Sequence, residues 1–199
     1  KDALALLGVR YIYHKNSDAR APWAFPYWEY PEEERIPRFH DDAYTVIELK
    51  NTYPRAFLAS SYRLETDKQG IITALFAKTT DRRETLILEQ KPLLEPMAGS
   101  ASAEIVTYGG NTVRIRTSAS VPKLLFLSDV YDAGWSADID GKPTPVLRAD
   151  YAFRAVSMPK GVHTVTFSYR PKAFLYGGIV SVLSLLCSIG FVVVNRRKV

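Results

Sequence analysis

The stretch WSADIDGKPTPVLRADYAFRAVSMPKGVHTVTFSY, residues 135–169, decides the fold class. Residues 135–140 alternate Trp, Ala and Ile with Ser and Asp, which is the pattern of a strand with one buried face. Asp140-Gly141 predicts a type I′ hairpin turn, and Pro-Lys-Gly at residues 159–161 predicts a second tight turn. The rest of the stretch predicts more short strands, at residues 146–148, 152–157 and 163–169.

The segments upstream extend this β pattern. Three short strands are predicted at residues 104–108, 112–117 and 123–128, the first two joined by Gly-Gly-Asn. Six or seven strands at this spacing indicate a mainly β chain with a β-sandwich, jelly-roll-like fold. Apolar residues at positions 71, 72, 75 and 76 predict one small α-helix over residues 69–78. The remaining predicted strands are residues 6–13, 44–49, 55–59 and 85–89, and residues 91–102 are interpreted as a connector.

Downstream of the β segments lies the uncharged run AFLYGGIVSVLSLLCSIGFVVVN, residues 173–195, followed by Arg196, Arg197 and Lys198. As a helix, this run is long enough to cross the ~30 Å hydrocarbon core of a bilayer. The positive-inside rule places the basic tail, residues 196–199, in the cytoplasm. We therefore expect an extracytoplasmic domain over residues 1–171 and a transmembrane helix over residues 172–195. The alternative is a buried core helix of a soluble protein.

The start of the sequence suggests a longer parent protein. Lys1 is preceded by neither an initiator methionine nor a signal peptide, yet an outward-facing domain needs an export signal. We expect this chain to be the end of a polytopic membrane protein, with residues 1–7 leaving an earlier membrane segment or beginning the domain.

Charge and cysteine content argue against several functional classes. The net charge is +5, but three of the positive charges lie in the final tail, so nucleic-acid binding has little support. Cys187 is the one cysteine and lies in the predicted membrane helix, which rules out an intrachain disulfide and a cysteine metal site. We predict no cofactor.

Four aspartates, at positions 129, 132, 138 and 140, invite a calcium-site interpretation. The loop starting at Ser136 lacks the leading Asp of an EF-hand, and Leu147 stands where the bidentate Glu belongs. The sequence also contains no nucleophile elbow, phosphate loop or zinc-ligand spacing. We predict no catalytic residue and no metal site in this chain.

Residues 14–42 form an aromatic excursion with four prolines, at positions 22, 26, 31 and 37. Prolines at this density exclude a helix or a central strand and predict a long ordered loop. Its aromatic side chains suit a glycan or lipid-headgroup platform, because flat apolar rings with polar rims stack on sugars. Packing into a small satellite core is the alternative. The candidate glycan-binding residues are Trp23, Tyr27, Trp28 and Tyr30.

The segment LSDVYDAGWSADIDGKPTPVLRADYAFRAVSMPKGVHTVTFSYRP, residues 127–171, followed directly by a membrane helix, resembles the C-terminal end of YfhO-type bacterial membrane proteins. Residues 6–11 and 51–57 fit the same family. We interpret the motif residues as mainly architectural, with a bend at Gly134-Trp135 that lowers the indole onto the sandwich core. These motif residues are Asp129, Trp135, Asp140, Gly141, Tyr151 and Arg154.

This resemblance implies a polytopic parent similar to GT-C glycosyltransferases, which use polyprenyl-phosphate-linked sugars to modify cell-envelope polymers. In that superfamily the catalytic acid lies in an early extracytoplasmic loop, so no catalytic residue is carried over. The expected partners are membrane lipid, the remaining transmembrane helices of the parent, and a polyprenyl-phosphate sugar or envelope glycan. The expected role is that of an accessory domain. The alternatives are a non-catalytic, membrane-anchored glycan-binding module and a structural or assembly module.

Overall fold

The computed structural model describes residues 5–77 and 81–196, with side chains through residue 189. Its two helices are α1 (Lys68–Leu75) and α2 (Lys172–Arg196). The strands are β1 (Tyr11–Lys15), β2 (Arg35–His40), β3 (Tyr44–Leu49), β4 (Ala56–Ala59), β5 (Ser61–Leu64), β6 (Thr85–Leu88), β7 (Ala101–Tyr108), β8 (Thr112–Ala119), β9 (Lys123–Leu127), β10 (Trp135–Ile139), β11 (Lys142–Thr144), β12 (Leu147–Ala149), β13 (Phe153–Met158) and β14 (Gly161–Tyr169).

These strands form three sheets, which confirms the mainly β prediction. The largest has six strands in the order β4-β9-β13-β12-β6-β5, and the next has five in the order β11-β10-β14-β8-β7. All pairings are antiparallel except β5 with β6. The third sheet has the order β1-β3-β2.

The six-stranded sheet lies in the middle of the molecule, because both of its faces are apolar. Val156 of β13 packs with Ile115 and Phe167 of the five-stranded sheet, which forms the sandwich core. Phe153 of the same strand points the other way and packs with Ile71 and neighbouring residues of α1. Every residue of β9 and β13 is buried. A strand covered on both faces has apolar residues on both, so apolar and polar residues alternate only weakly along β9 and β13.

The structure corrects the prediction of a long ordered loop over residues 14–42, because part of this segment is an edge strand. Arg35–His40 pairs with β3 at the edge of the three-stranded sheet. Pro37 is tolerated because an edge strand has one side free of ladder bonds, and the register shifts between Pro37 and Phe39. The rest of the excursion contains three 3₁₀ turns.

Several predicted boundaries were also wrong. The first strand begins at Tyr11, not residue 6, and Leu6 is buried in the α1-side core. Helix α1 ends at Leu75, before the predicted end at residue 78, which lies outside the described residues. The predicted connector over residues 91–102 includes the start of β7. Strands β5 and β11 were not predicted, since both are short and lie at sheet edges.

One end of the sandwich collects several strand termini and the start of α2. Trp135 pairs with Tyr169, the last residue of β14, and Arg170 N donates to Gly134 O at 2.8 Å. In the facing sheet, Leu127 pairs with both Arg154 and Ala56. We call this the helix end of the sandwich. In α2, residues 172–189 are long and apolar enough to cross a membrane, and none of them is buried.

Candidate functional site

The structure separates the six motif residues into two groups. Asp129, Trp135, Tyr151 and Arg154 lie at the helix end, where β9 finishes and β10 and β13 begin. Asp140 and Gly141 lie at the opposite end, in the hairpin between β10 and β11. Residues far apart in sequence therefore form one joint beside the start of α2.

Arg154 is the centre of this joint. Its side chain is 1% exposed, and its guanidinium carbon lies 3.7 Å from the centroid of the Trp135 ring and 5.3 Å from that of Phe167. Nη2 donates to Asp129 Oδ2 at 2.7 Å, while Nε and Nη1 have no hydrogen-bond partner among the described residues. Burial lowers the pKa of the Arg154 guanidinium, and the Asp129 carboxylate opposes this effect.

Asp129 connects the buried arginine to the surface. Its Oδ1 accepts hydrogen bonds from Arg55 Nη1 at 3.1 Å and from the Tyr108 hydroxyl at 2.8 Å. Arg55 also donates to the Tyr108 hydroxyl. The pKa of the Tyr108 hydroxyl is raised, first by desolvation and then by its bond to Asp129. Asp129 thus joins β7, β13 and Arg55, the residue before β4, through one carboxylate, which supports the architectural interpretation of this motif.

The same motif segments also form an open cleft of about 300 Å³ at the helix end. Tyr131 N donates to Ala152 O at 2.7 Å and connects the loop after β9 to the turn before β13. Arg148 lies 3.6 Å from Glu89, and its guanidinium carbon is 5.0 Å from the centroid of the Tyr131 ring. The cleft is lined by Thr66, Lys68, Glu89, Val130, Tyr131, Arg148, Tyr151 and Ala152.

A strained turn places Tyr151 in this cleft. Asp150 and Tyr151 have φ values of 47° and 72°, in the left-handed region that non-glycine residues rarely occupy. Asp150 is held on both sides, because its N donates to Ile87 O at 2.8 Å and its Oδ1 accepts from Ile87 N at 2.7 Å. Burial raises the pKa of the Asp150 carboxyl to about 7, against the opposing effects of the Ile87 N–H and the Arg82 charge.

The cleft combines positive charge with partly apolar rings. Lys68 and Arg148 provide positive charge, while the rings of Tyr131 and Tyr151 provide partly apolar faces. Glu89 is the one carboxylate among the lining residues and is already paired with Arg148. A sugar carrying an anionic group is complementary to this combination of cations, tyrosine rings and one paired carboxylate.

The four aromatic residues predicted to bind glycan do not share one exposed surface. Tyr30 is 8% exposed and packs with Ile12, Ile47 and Leu49. The rings of Tyr27 and Trp28 lie 5.1 Å and 5.8 Å from His14 in edge contacts.

Trp23 differs from these three residues, because it is 78% exposed. The contacts of Tyr27 and Tyr30 are those of a small core, the alternative that the sequence left open, and Trp28 lies edge-on against His14 and Tyr27. Glycan binding by this group remains a prediction.

The contacts of the Asp140-Gly141 hairpin stabilise the turn and connect it to β14. Both residues have positive φ, 52° and 79°, as a type I′ turn requires. Asp140 Oδ1 accepts from Thr164 N at 2.8 Å, and Oδ2 lies 2.7 Å from His163 Nδ1. Backbone and His163 hydrogen bonds hold the pKa of Asp140 below its usual value, and the partner carboxylate raises the pKa of His163.

Sequence reasoning missed Lys68, Glu89 and Arg148 as cleft residues. Arg148 carries a weak signal, because it is the exposed centre of a strand whose two other residues are buried. Lys68 and Glu89 carry no signal of their own, since they come from separate elements that only the folded sheet brings to the same edge.

Comparison with known proteins connects this end of the molecule to a family. The family model described as bacterial membrane protein YfhO matches residues 88–181. A curated protein from Bacillus subtilis (strain 168), described as uncharacterized protein YfhO, is 29% identical over 96 residues, which cover 48% of this chain and 11% of that relative. No solved structure gives a significant match.

The matched region contains β7 to β14, all six motif residues, most of the cleft and the start of α2. Residues 6–11 and 51–57 lie before it, so their resemblance to the family remains a prediction. The resemblance of residues 127–171 to YfhO-type bacterial membrane proteins is confirmed, because residues 88–181 match the model of that family.

Proposed function

We propose that this chain is the accessory extracytoplasmic domain and last membrane helix of a polytopic protein that transfers lipid-linked sugars to cell-envelope glycopolymers. The observation that carries the proposal is the position of the cleft at the helix end of the sandwich. With α2 in the bilayer, this end faces the membrane surface, where a lipid-linked donor meets its acceptor.

The route of the chain supports a domain placed between two membrane segments. Tyr53 N donates to Ala5 O at 3.1 Å, and two residues later Arg55 contacts Asp129 at the helix end. Residue 5 and the start of α2 are therefore connected to the same end of the sandwich through a short series of contacts. A chain that leaves and re-enters one membrane needs both connections on the side facing that membrane.

The cleft supports a role in holding the acceptor glycan. Its cations suit an acidic or phosphate-bearing polymer, and its single carboxylate, paired with Arg148, does not provide the two carboxyl groups that glycoside hydrolysis uses. Transfer chemistry is assigned to the rest of the parent protein. This domain positions the polymer near the membrane.

The test is complementation with the full-length parent. A strain lacking the gene is supplied with wild type, a Lys68→Ala/Arg148→Ala double variant, or Lys160→Ala as a matched control on an exposed residue at the other end. Mass spectrometry of envelope polymers should show a sugar substituent lost on deletion, restored by wild type and the control, and reduced in the double variant at equal membrane abundance.

Two results would count against the proposal. An unchanged set of envelope glycans after deletion would remove the transfer role and favour a structural or assembly module. If the double variant fully restored the sugar substituent, the cleft would not be needed for the activity.

A further inference from the structure

The three-stranded sheet has an exposed aromatic side that the proposed function does not use. In β1, Ile12 and His14 are buried, while Tyr11 and Tyr13 on the opposite face are 56% and 65% exposed. Phe39 of β2 pairs with Val46, the residue that also pairs with Tyr13, and is 51% exposed. We call this surface the outer sheet face.

Charge is arranged along this face. Glu48, whose side chain is 4% exposed, accepts a hydrogen bond from Arg10 Nε at 2.6 Å and another from Arg38. The two arginines stay 61% and 52% exposed, so two cations surround one carboxylate at this end of the sheet. The exposed Asp41 and Asp42 lie in the β2–β3 turn at the far end, where Lys15, paired with Tyr44, is the one cation of β1 on this face.

The cationic end of the sheet is also the end joined to the sandwich. Leu49 N donates to Arg10 O at 2.8 Å, and the chain then runs through Tyr53 to Arg55 at the helix end. The arginines therefore lie on the side from which α2 leaves, and the acidic turn lies away from it.

From this arrangement we infer that the outer sheet face rests on the headgroup layer of the membrane that α2 spans, with Arg10 and Arg38 on anionic lipid phosphates. Tyrosine is enriched at the membrane–water interface, because its ring is apolar and its hydroxyl is polar. Basic residues beside it gain from the negative surface potential. Since α2 tethers the domain, even a weak contact is populated.

A glycan is a poorer occupant for this face. Tyr13 and Tyr44 stack on each other with ring centroids 4.7 Å apart and an angle of 25° between ring planes. Each ring thus covers one face of the other, the kind of face on which a sugar would stack. The inference requires α2 to lie in the membrane but does not depend on the glycan chemistry proposed above.

The test is the depth of a spin label in the α2-containing protein, reconstituted in nanodiscs of phosphatidylcholine with or without phosphatidylglycerol. The label is placed at Phe39→Cys in a Cys187→Ser background, leaving the tyrosines and arginines unchanged. Native Cys187 provides the hydrocarbon reference, and Val162→Cys, on an exposed residue at the opposite end, provides the aqueous reference.

We expect the label at position 39 to read an interfacial depth in anionic nanodiscs. The ratio of engaged to free domain should fall at least about fivefold without phosphatidylglycerol, since one basic residue near such a surface contributes about that factor. Tyr11→Ser should also reduce the depth, whereas Val106→Ser, on an exposed residue of β7, should not.

Equal readings at positions 39 and 162 in both lipids would overturn the inference. So would a label at position 39 that is immobilised in native membranes but aqueous in anionic nanodiscs, because a protein partner would then cover the face. An aqueous reading at Cys187 would instead reject the membrane position of α2, which distinguishes that failure from failure of the sheet contact.

Discussion

Arg154 shows how a single buried charge is tolerated in this fold. The guanidinium lies against Trp135 and Phe167 and has one carboxylate partner, Asp129. Removing the partner leaves a buried charge without compensation, whereas removing the arginine leaves Asp129 with Arg55 and Tyr108. The two changes are therefore not equivalent.

We predict that Asp129→Asn lowers the free energy of unfolding by about 3–5 kcal/mol, the usual cost of breaking a buried ion pair. Arg154→Met should cost less, because an apolar side chain fits between the same two rings. Urea unfolding of the detergent-purified protein, followed by tryptophan fluorescence, measures both values. An equal or reversed order would contradict this account of the joint.

Asp150 predicts a pH-dependent stability. Its pKa is raised from 3.8 to about 7 on folding, so the folded state binds more protons than the unfolded state between these values. Stability should therefore fall as pH rises from about 4 to about 7, by at most about 1.4 kcal/mol per pH unit from this group.

The variant Asp150→Asn should lack this part of the pH dependence, since its amide oxygen still accepts from Ile87 N while the charge is gone. Unfolding curves at several pH values between 4 and 8 test this expectation. Asp42→Asn, a change at an exposed aspartate, is the matched control and should keep the same dependence of stability on pH as the wild-type chain. If the stability of the wild-type chain rose between pH 4 and pH 7, the raised pKa of Asp150 would be rejected.

At the scale of elements, Gly134 controls how the sandwich meets α2. A Cβ at this position would lie 2.7 Å from the Tyr169 ring, 2.9 Å from Asp132 Oδ1 and 3.1 Å from Pro171 Cα. We predict that Gly134→Ala destabilises the domain by about 1–3 kcal/mol, the usual range for overpacking. Gly110→Ala, where a Cβ meets nothing within 4 Å, should be nearly neutral in the same unfolding assay.

The β10–β11 hairpin gives a second prediction at this scale. Asp140→Ala loses the bonds to Thr164 N and His163 and places alanine at positive φ, so we expect a cost of about 2 kcal/mol. Asp140→Asn should cost less than half as much, because asparagine tolerates this conformation and still accepts from Thr164 N. Thermal unfolding compares the two, and equal losses would show that the turn does not depend on these contacts.

Strands were predictable where one face is exposed and less so elsewhere. β8 alternates buried and exposed residues along its length and was identified within two residues of its end. β5, in contrast, is a four-residue edge strand with no fully buried residue, and its pairing with β6 is parallel. β5 forms because β6 lies beside it, and this pairing cannot be predicted from the four residues of β5 alone.

At the scale of the whole molecule, the proposed topology places the sandwich outside the cytoplasm and Cys187 within the bilayer. Cys187 is exposed in the structure, so only lipid or a neighbouring helix can protect it. We predict that Cys187 resists a membrane-impermeant thiol reagent in intact cells expressing the full-length parent. A cysteine replacing the exposed Ser118, at the end of the sandwich away from α2, should be labelled. The reverse pattern would overturn the proposed orientation.

The sequence by itself determined the β class, the hairpin turns, the apolar helix and the family motif of residues 127–171. These depend on periodicity, turn chemistry and length, which are local properties of the chain. Only the tertiary structure decided that Arg154 and Asp129 form a buried joint and that Lys68, Glu89 and Arg148 share a cleft. It also separated the packed Tyr27 and Trp28 from the exposed Tyr11 and Tyr13. The reason is that burial and charge pairing depend on sheet order, which brings together residues distant in sequence.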